Sequence, residues 1–212
     1  MTILHSDILG TEDEDTPPNS TTVAARAERL LAALNAAREV FVAHGYHGAS
    51  MDQIGLRAGM SKPVLYTLYA NKLDLYLAVL QHHLDRMVGG IRSALAGATG
   101  QEDKVRRAVL AYFDFVDEDP DGHVLIFESP VPSEPSVRWR ARHAFGECAV
   151  LVSAELRAAG MDDARAFTCA FGVVGASHLA ARQWLDTGKP IPKRDAVETT
   201  VALCWNGLAG IG

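Results

Sequence analysis

Residues 50–72, SMDQIGLRAGMSKPVLYTLYANK, decide the fold. Ser50 stands three residues before Gln53, the spacing of a capping box in which each side chain satisfies a backbone donor at a helix start. A short helix is therefore predicted over 51–58. Gly59 can take the left-handed conformation that turns the chain sharply, Ser61 can cap a second short helix, and Pro63 early in that helix gives up no needed hydrogen bond. This second helix is predicted over 62–69. Leu65 points into a small core while Lys62, Val64, Tyr66 and Thr67 stay outside. Lys62 and Lys72 can neutralise phosphates, Tyr66 can donate its hydroxyl to one, and Val64 and Thr67 can meet base edges or a thymine methyl.

Upstream, Leu30, Leu34, Ala37 and Phe41 recur at i, i+4, i+7 and i+11, one face of a helix over 24–44 that Gly45 stops. A longer helix before two short ones makes a three-helix, helix-turn-helix DNA-binding unit, with the helix after Ser61 predicted to enter the major groove. Downstream, Asn71 begins a long helix with Leu73, Leu77, Leu80, Leu84, Met87, Ile91 and Leu95 on one side, which Gly89 and Gly90 are expected to bend. Val105, Val109, Tyr112, Phe113 and Val116 define another helix. Asp119–Pro120–Asp121–Gly122 reads as a turn, and 123–128 is ambiguous between helix and strand before Pro130, Pro132 and Pro135. Helices are expected next over 136–159, 163–186 and 195–208. No alternating run is long enough for a sheet, so the fold class is all-α: an N-terminal three-helix DNA-binding domain plus a larger helical ligand-binding and dimerisation domain. The expected organisation is an acidic disordered tail over 1–22, the helix-turn-helix domain over 23–72, and an effector-binding and dimerisation domain over 73–212.

A net charge of −6 over 212 residues argues against a DNA binder until it is divided along the chain. Residues 1–22 carry five acids and no Lys or Arg, whereas 23–80 carry six Lys or Arg against four acids, a net of +2. A mildly basic module flanked by acidic segments is compatible with phosphate binding. Cys148, Cys169 and Cys204 are far apart and odd in number, which suggests neither a disulfide framework nor a metal clip and fits a reducing cytoplasm. No basic region precedes an apolar stretch near the start, so no secretory signal is expected. The uncharged run 166–181 falls short of the ~20 residues that span a bilayer, so no membrane partner is expected.

Through Arg38, Phe41, Gly45 and Tyr46, then Ile54, Ala58, Gly59, Met60, Ser61, Leu65, Tyr66, Tyr69, Asn71 and Lys72, residues 26–80 resemble the TetR family of bacterial regulators. The resemblance implies that the helix after Ser61 is the recognition helix and that DNA is touched from Ser50, Lys62, Pro63, Val64, Tyr66, Thr67 and Lys72. Two residues depart from the pattern: Gly55 stands where Ala is usual, and Leu68 where His or an aromatic is common. The resemblance further implies a homodimer whose last two helices form a four-helix bundle across a two-fold axis. Small residues at Ala170, Gly172, Gly175, Ala176 and Ala180 permit close approach, and Val197, Val201, Trp205 and Leu208 offer a second face. Such a dimer holds its recognition helices about 34–36 Å apart and demands a palindromic operator.

Tyr112–Phe113, Val116–Asp117, Phe127–Glu128–Ser129, Glu134–Pro135 and Val137–Arg138, with Trp184 and Trp205, are similar to the actinobacterial TetR-type regulators of fatty-acid synthesis. That likeness implies a small apolar effector, a long-chain acyl-CoA in control of lipid metabolism, with its chain among Phe113, Val116, Leu125, Phe127, Phe145, Phe171 and Trp184. An apolar channel suits a chain whose affinity grows by ~0.8 kcal/mol per buried CH₂. The same aromatics are also what any helical core needs. Adjacent His82 and His83 point to different helix faces, which argues against a metal site with Asp85, and no cofactor is expected. His123 and His178 read as satisfied polar residues. The chain has no GxSxG elbow, phosphate-cradling loop or HExxH pair, so an enzyme is not expected. A helical dimeric adaptor without a DNA-binding role is the alternative; it would show no salt-dependent affinity for duplex DNA.

Overall fold

The computed structural model describes residues 20–127, 131 and 134–209, all of whose regular elements are α-helices. The expectation for the acidic tail up to residue 19 lies outside the described residues, as do Glu128 to Pro130 and Pro132. In chain order the helices are α1 (Ser20–Gly48), α2 (Met51–Arg57), α3 (Lys62–Leu68), α4 (Lys72–Ala96), α5 (Gln101–Glu118), α6 (Pro120–Phe127), α7 (Pro135–Ala158), α8 (Asp163–Asp186) and α9 (Lys193–Ala209).

Their starts are set by polar caps. Ser50 makes both halves of the capping box, accepting from the Gln53 amide at 3.2 Å while the Gln53 carboxamide oxygen accepts from the Ser50 amide at 2.9 Å. Asn71 accepts from the Asp74 amide at 2.9 Å to start α4, and Asp162 accepts from the Arg165 amide at 3.0 Å to start α8. Gly59, at φ +66°, makes the sharp turn between α2 and α3 that a side chain would strain.

Several expectations are corrected. Residues 20–22, assigned to the tail, are the first of α1, and that helix is redirected at Gly45 (φ 66°, ψ 170°) three residues before its end. Ser61 precedes α3 without a side-chain cap. Helix α4 runs through Gly89 and Gly90 without a break, since neither glycine leaves helical geometry. The stretch read as a turn at Asp119–Gly122 is a helix start instead: Asp119 accepts from the Gly122 amide at 3.0 Å, and the ambiguous apolar piece after it is α6. An Asp before Pro and Gly serves equally as a helix cap and as a turn, and the apolar face of 123–127 had a core to join.

One continuous core unites the molecule. Helices α1 to α3 close over Phe41, Ile54 and Leu65; α4 carries Leu75, Tyr76, Val79 and Leu80 from that cluster into the larger half, where Met87, Ile91 and Leu95 meet α5 and α7. Helices α7 and α8 pack along each other, and α9 lies against α5 and α8. Helix α4 therefore runs from an N-terminal helix-turn-helix into a larger helical part, and α1 also packs on α6. Among the described residues no helix is long and apolar enough to cross a membrane, and no group of His, Cys, Asp and Glu is placed to hold a metal ion.

Candidate nucleic-acid interface and effector groove

Leu65 is fully buried and anchors α3 on Ile54 of α2, which turns the other side of α3 outward. Lys62, Pro63, Val64, Tyr66 and Thr67 are all exposed on that side, Val64 at 37% and Tyr66 at 43%. A tyrosine and a valine this open on a seven-residue helix form a ridge narrow enough for a groove. Leu68, the departure from the family pattern, is partly buried and packs against the core.

The polar predictions are less simple. Lys62 donates to the Asp52 carboxylate at 2.8 Å, a bond that raises its pKa above the usual lysine value; both side chains are more than half exposed, so water and salt screen the pair and a DNA phosphate can take Asp52's place. Ser50 is engaged in the capping box. Lys72 donates to the carbonyls of Tyr46 (2.8 Å) and Ala49 (2.9 Å), and its ammonium lies 4.6 Å from the Tyr46 ring centroid. It thereby ties the redirected end of α1 to the first turn of α4. An ammonium has three donors, and two are used internally. Thr67, also exposed, donates to the Val64 carbonyl at 2.6 Å.

The predicted effector residues do not converge. Phe113, Val116 and Leu125 are buried in packed core, Phe113 against Trp184 at 5.8 Å between ring centroids, and the Trp184 indole donates to the Ile191 carbonyl at 2.8 Å. Phe127 and Phe145 meet edge to face at 5.6 Å around His178, which is hydrogen-bonded to the Tyr112 hydroxyl at 2.8 Å. Burial first, then the nearby His123 and Arg182, depress the His178 pKa to about 4, so the ring is neutral. His123, expected to be satisfied, instead has its Nε2 buried without a hydrogen-bond partner. Phe171 is the clear correction: it is 42% exposed whereas Phe113 is fully buried, so the two do not line one cavity in this structure. Reading α8 as uniformly apolar hid which of its faces looks inward.

Phe171 belongs to an open groove of about 530 Å³ between α7 and α8, reaching Arg92 of α4. Trp139 and His143 stack in parallel at 4.7 Å on one wall, Phe167 and Phe171 meet edge to face at 4.9 Å on the other, and Arg92 and Arg142 outnumber the one lining carboxylate, Glu147, which lies 3.8 Å from His143. Sequence reasoning missed this site, although both aromatic pairs are spaced i, i+4 on otherwise exposed helix faces, a pattern that a buried core does not need. Inside the domain, a void of about 10 Å³ lies next to Ile91, Tyr112 and Val152.

The dimer face also differs in detail. Val197 and Val201 are buried against their own chain, as is Ala170; the outward residues are Gly172 and Leu179 (65% exposed) on α8 and Thr199, Ala202 and Leu203 (71%) on α9. The Leu208 side chain lies outside the described residues.

Residues 33–79 match the model of the bacterial regulatory proteins of the tetR family. The chain is 46% identical over 187 residues to the HTH-type transcriptional activator FasR of Mycolicibacterium smegmatis, covering 88% of this chain and 85% of that one. Among solved structures, a TetR-like transcriptional regulator from Rhodococcus sp. RHA1 superposes with a TM-score of 0.70 at 26% identity, covering 86% of this chain and 96% of that chain. FadR from Bacillus subtilis in complex with stearoyl-CoA has the same fold, with a TM-score of 0.70 at 14% identity over 82% and 96% of the two chains.

Proposed function

The chain belongs to the tetR family of bacterial regulatory proteins, and from that premise we propose that this transcriptional regulator binds a palindromic operator in the cytoplasm as a homodimer and is controlled by a long-chain acyl-CoA. The observation that carries the DNA-binding site is the outward ridge of α3. Pro63, Val64, Tyr66 and Thr67 face solvent there while Leu65 holds the helix from behind. Lys62 exchanges Asp52 for a phosphate, Ser50 meets the backbone at the start of α2, and Lys72 offers its remaining donor from the start of α4. The boundary between the two functional parts falls near Lys72, so 23–72 act as the DNA-reading head and 73–212 as the effector and dimer body.

The groove between α7 and α8 is the entry site for the effector. A pocket of about 530 Å³ lies in the range of small-molecule sites. Its aromatic walls suit an acyl chain, and Arg92 and Arg142 suit anionic phosphates at its head. Full entry of the chain requires the aromatic cluster of Phe127, Phe145 and His178 to open toward Phe113, Val116, Leu125 and Trp184. The likeness to FasR and the stearoyl-CoA held by FadR favour this ligand class. The outcome for operator affinity is a population shift carried by α4.

Two titrations test the reading. Duplex affinity should fall steeply between low and moderate salt, as counterion release requires. Stearoyl-CoA should raise the melting temperature by mass action and change operator affinity, and Trp139→Ala should weaken both effects. Salt-independent duplex affinity would favour a dimeric adaptor; no response to acyl-CoA at saturation would remove that ligand class and leave DNA binding standing.

A further inference from the structure

A second cavity, of about 80 Å³, lies between α1 and α4, where the DNA-reading half meets the larger one. Its polar wall is made by Asn35 and Arg38 of α1 and His82, His83 and Arg86 of α4. At about 15 Å³ per water, it has room for roughly five waters or for one tetrahedral ion. Among the described residues no Asp or Glu lines it; Arg86 is paired with Asp119 behind the wall, which leaves the Arg38 guanidinium facing the space without a carboxylate on the lining.

Arg38 is the residue that needs explaining. Its Nε is buried and has no hydrogen-bond partner, whereas a buried guanidinium donor is normally satisfied. The nearby acids are committed elsewhere. Glu39, its neighbour in the chain, accepts from Arg57 at 2.5 Å, and Asp85 accepts from the Gln81 carboxamide at 2.8 Å. Asp119 accepts from His83 (2.6 Å), Arg86 (2.6 Å) and the Gly122 amide (3.0 Å). Those bonds fix His83 and Arg86 in the cavity wall. His82 is held uncharged by burial, by His83 and by Arg86, in that order of weight. The unbalanced charge is therefore that of Arg38, whose planar guanidinium fork matches an oxyanion, with Arg86 beside it still carrying donors that Asp119 does not use.

We propose that this cavity binds a small tetrahedral oxyanion of the phosphate or sulfate type, held by Arg38 and Arg86 with Asn35 and His82 as further donors, so that the ion bridges α1 to α4. The site is separate from the α7–α8 groove and holds whatever the effector is. Bound there, the ion adds charge-assisted contacts across the junction through which α4 passes a signal to the DNA-reading helices.

The full chain is titrated with inorganic phosphate, and in parallel with a nucleoside 3′-phosphate, at constant ionic strength set by sodium chloride. The melting temperature should rise with the logarithm of phosphate concentration, and the His82 imidazole resonances should move as the ring gains an acceptor. Arg38→Gln should weaken phosphate on the order of tenfold or more, the weight of a lost charge-assisted hydrogen bond. Asn35→Asp, which places a carboxylate in the wall, should abolish binding. Arg194→Gln, at a side chain 85% exposed, should leave it unchanged. Because each variant's melting temperature is compared with and without phosphate, a change in its basal stability does not obscure the result. Crystals soaked in selenate should show the anomalous peak between Arg38 and Arg86. Equal shifts in the wild type and Arg38→Gln, or unmoved His82 resonances at saturating phosphate, would overturn the proposal. Arg38-dependent binding of the nucleotide as well as the free ion marks a phosphoryl site, and binding of phosphate alone marks a free-ion site.

Discussion

Gly122 is one residue whose identity is forced by its neighbours. A Cβ there would stand 2.5 Å from the His83 Nδ1 and 2.6 Å from the Asp119 Oδ2, the two atoms of a buried hydrogen bond. Neither can retreat, because both side chains are almost fully buried. Gly122→Ala should therefore cost about 2–3 kcal/mol in urea unfolding, the range of overpacking plus a broken buried polar pair. Lys72 carries two roles that a sequence reading separates poorly. Tyr66→Phe should weaken duplex binding and leave the urea midpoint where it was, since Tyr66 is 43% exposed. Lys72→Ala should weaken duplex binding and also lower the unfolding free energy by about 1–3 kcal/mol, and with it the urea midpoint, because the carbonyls of Tyr46 and Ala49 lose a charged donor. Identical midpoints in the two variants would show that the ammonium does not fasten α1 to α4.

At the scale of elements, the legible features were those governed by local chemistry. The Ser50–Gln53 box, the cap at Asn71, the turn at Gly59 and the helix 163–186 were readable because each rests on a few adjacent residues. The orientation of long apolar helices was not. The middle of helix α8 is apolar nearly all round, so its contacts with α5, α7 and α9 decide that Ala170 and Val174 look inward and Phe171 outward. The same limit hid the α7–α8 groove, and it set Val197 and Val201 on the wrong face of α9. The polar residues packed between helices respond to acid as a group. His178, with a pKa near 4 in the fold against an ordinary 6.5, faces Tyr112, His123 and Arg182. The unfolded chain binds the proton more readily, so stability is full above pH 6.5 and falls as pH drops toward 4. With its partial exposure discounted, the loss at pH 5 should be on the order of 1–2 kcal/mol. Burial tends to raise the Asp119 carboxyl, but His83, the Gly122 amide and Arg86 outweigh it and hold its pKa below the usual range. Its contribution has the same sign and is lost at lower pH, as the medium falls through that depressed value. Urea unfolding at pH 7 and pH 5 should give a difference that shrinks in His178→Asn; an unchanged difference would assign the acid sensitivity elsewhere.

For the whole molecule, the proposed function depends on two heads held at one spacing. A single head with one lysine paired to Asp52 and another tied to backbone carbonyls has little charge to offer DNA. High affinity for an operator must then come from linking two heads, whose second contact is intramolecular once the first is made. The outward stripe of Gly172 and Leu179 on α8 and of Ala202 and Leu203 on α9 is the apolar surface available for that linkage. A carboxylate placed in the middle of such an interface is buried twice across a two-fold axis, facing its own copy. Leu203→Glu should therefore weaken the dimer by on the order of 3 kcal/mol or more, which is over a hundredfold in dissociation constant. Sedimentation at micromolar concentration should show a monomer, and its operator affinity should fall to that of an unrelated duplex. Leu203 does not line the α7–α8 groove, so acyl-CoA should still raise the monomer's melting temperature. A variant that stays dimeric would place the two-fold axis elsewhere. A monomer that retains full operator affinity would mean that each head reads its half-site independently, and effector control through head spacing could not operate.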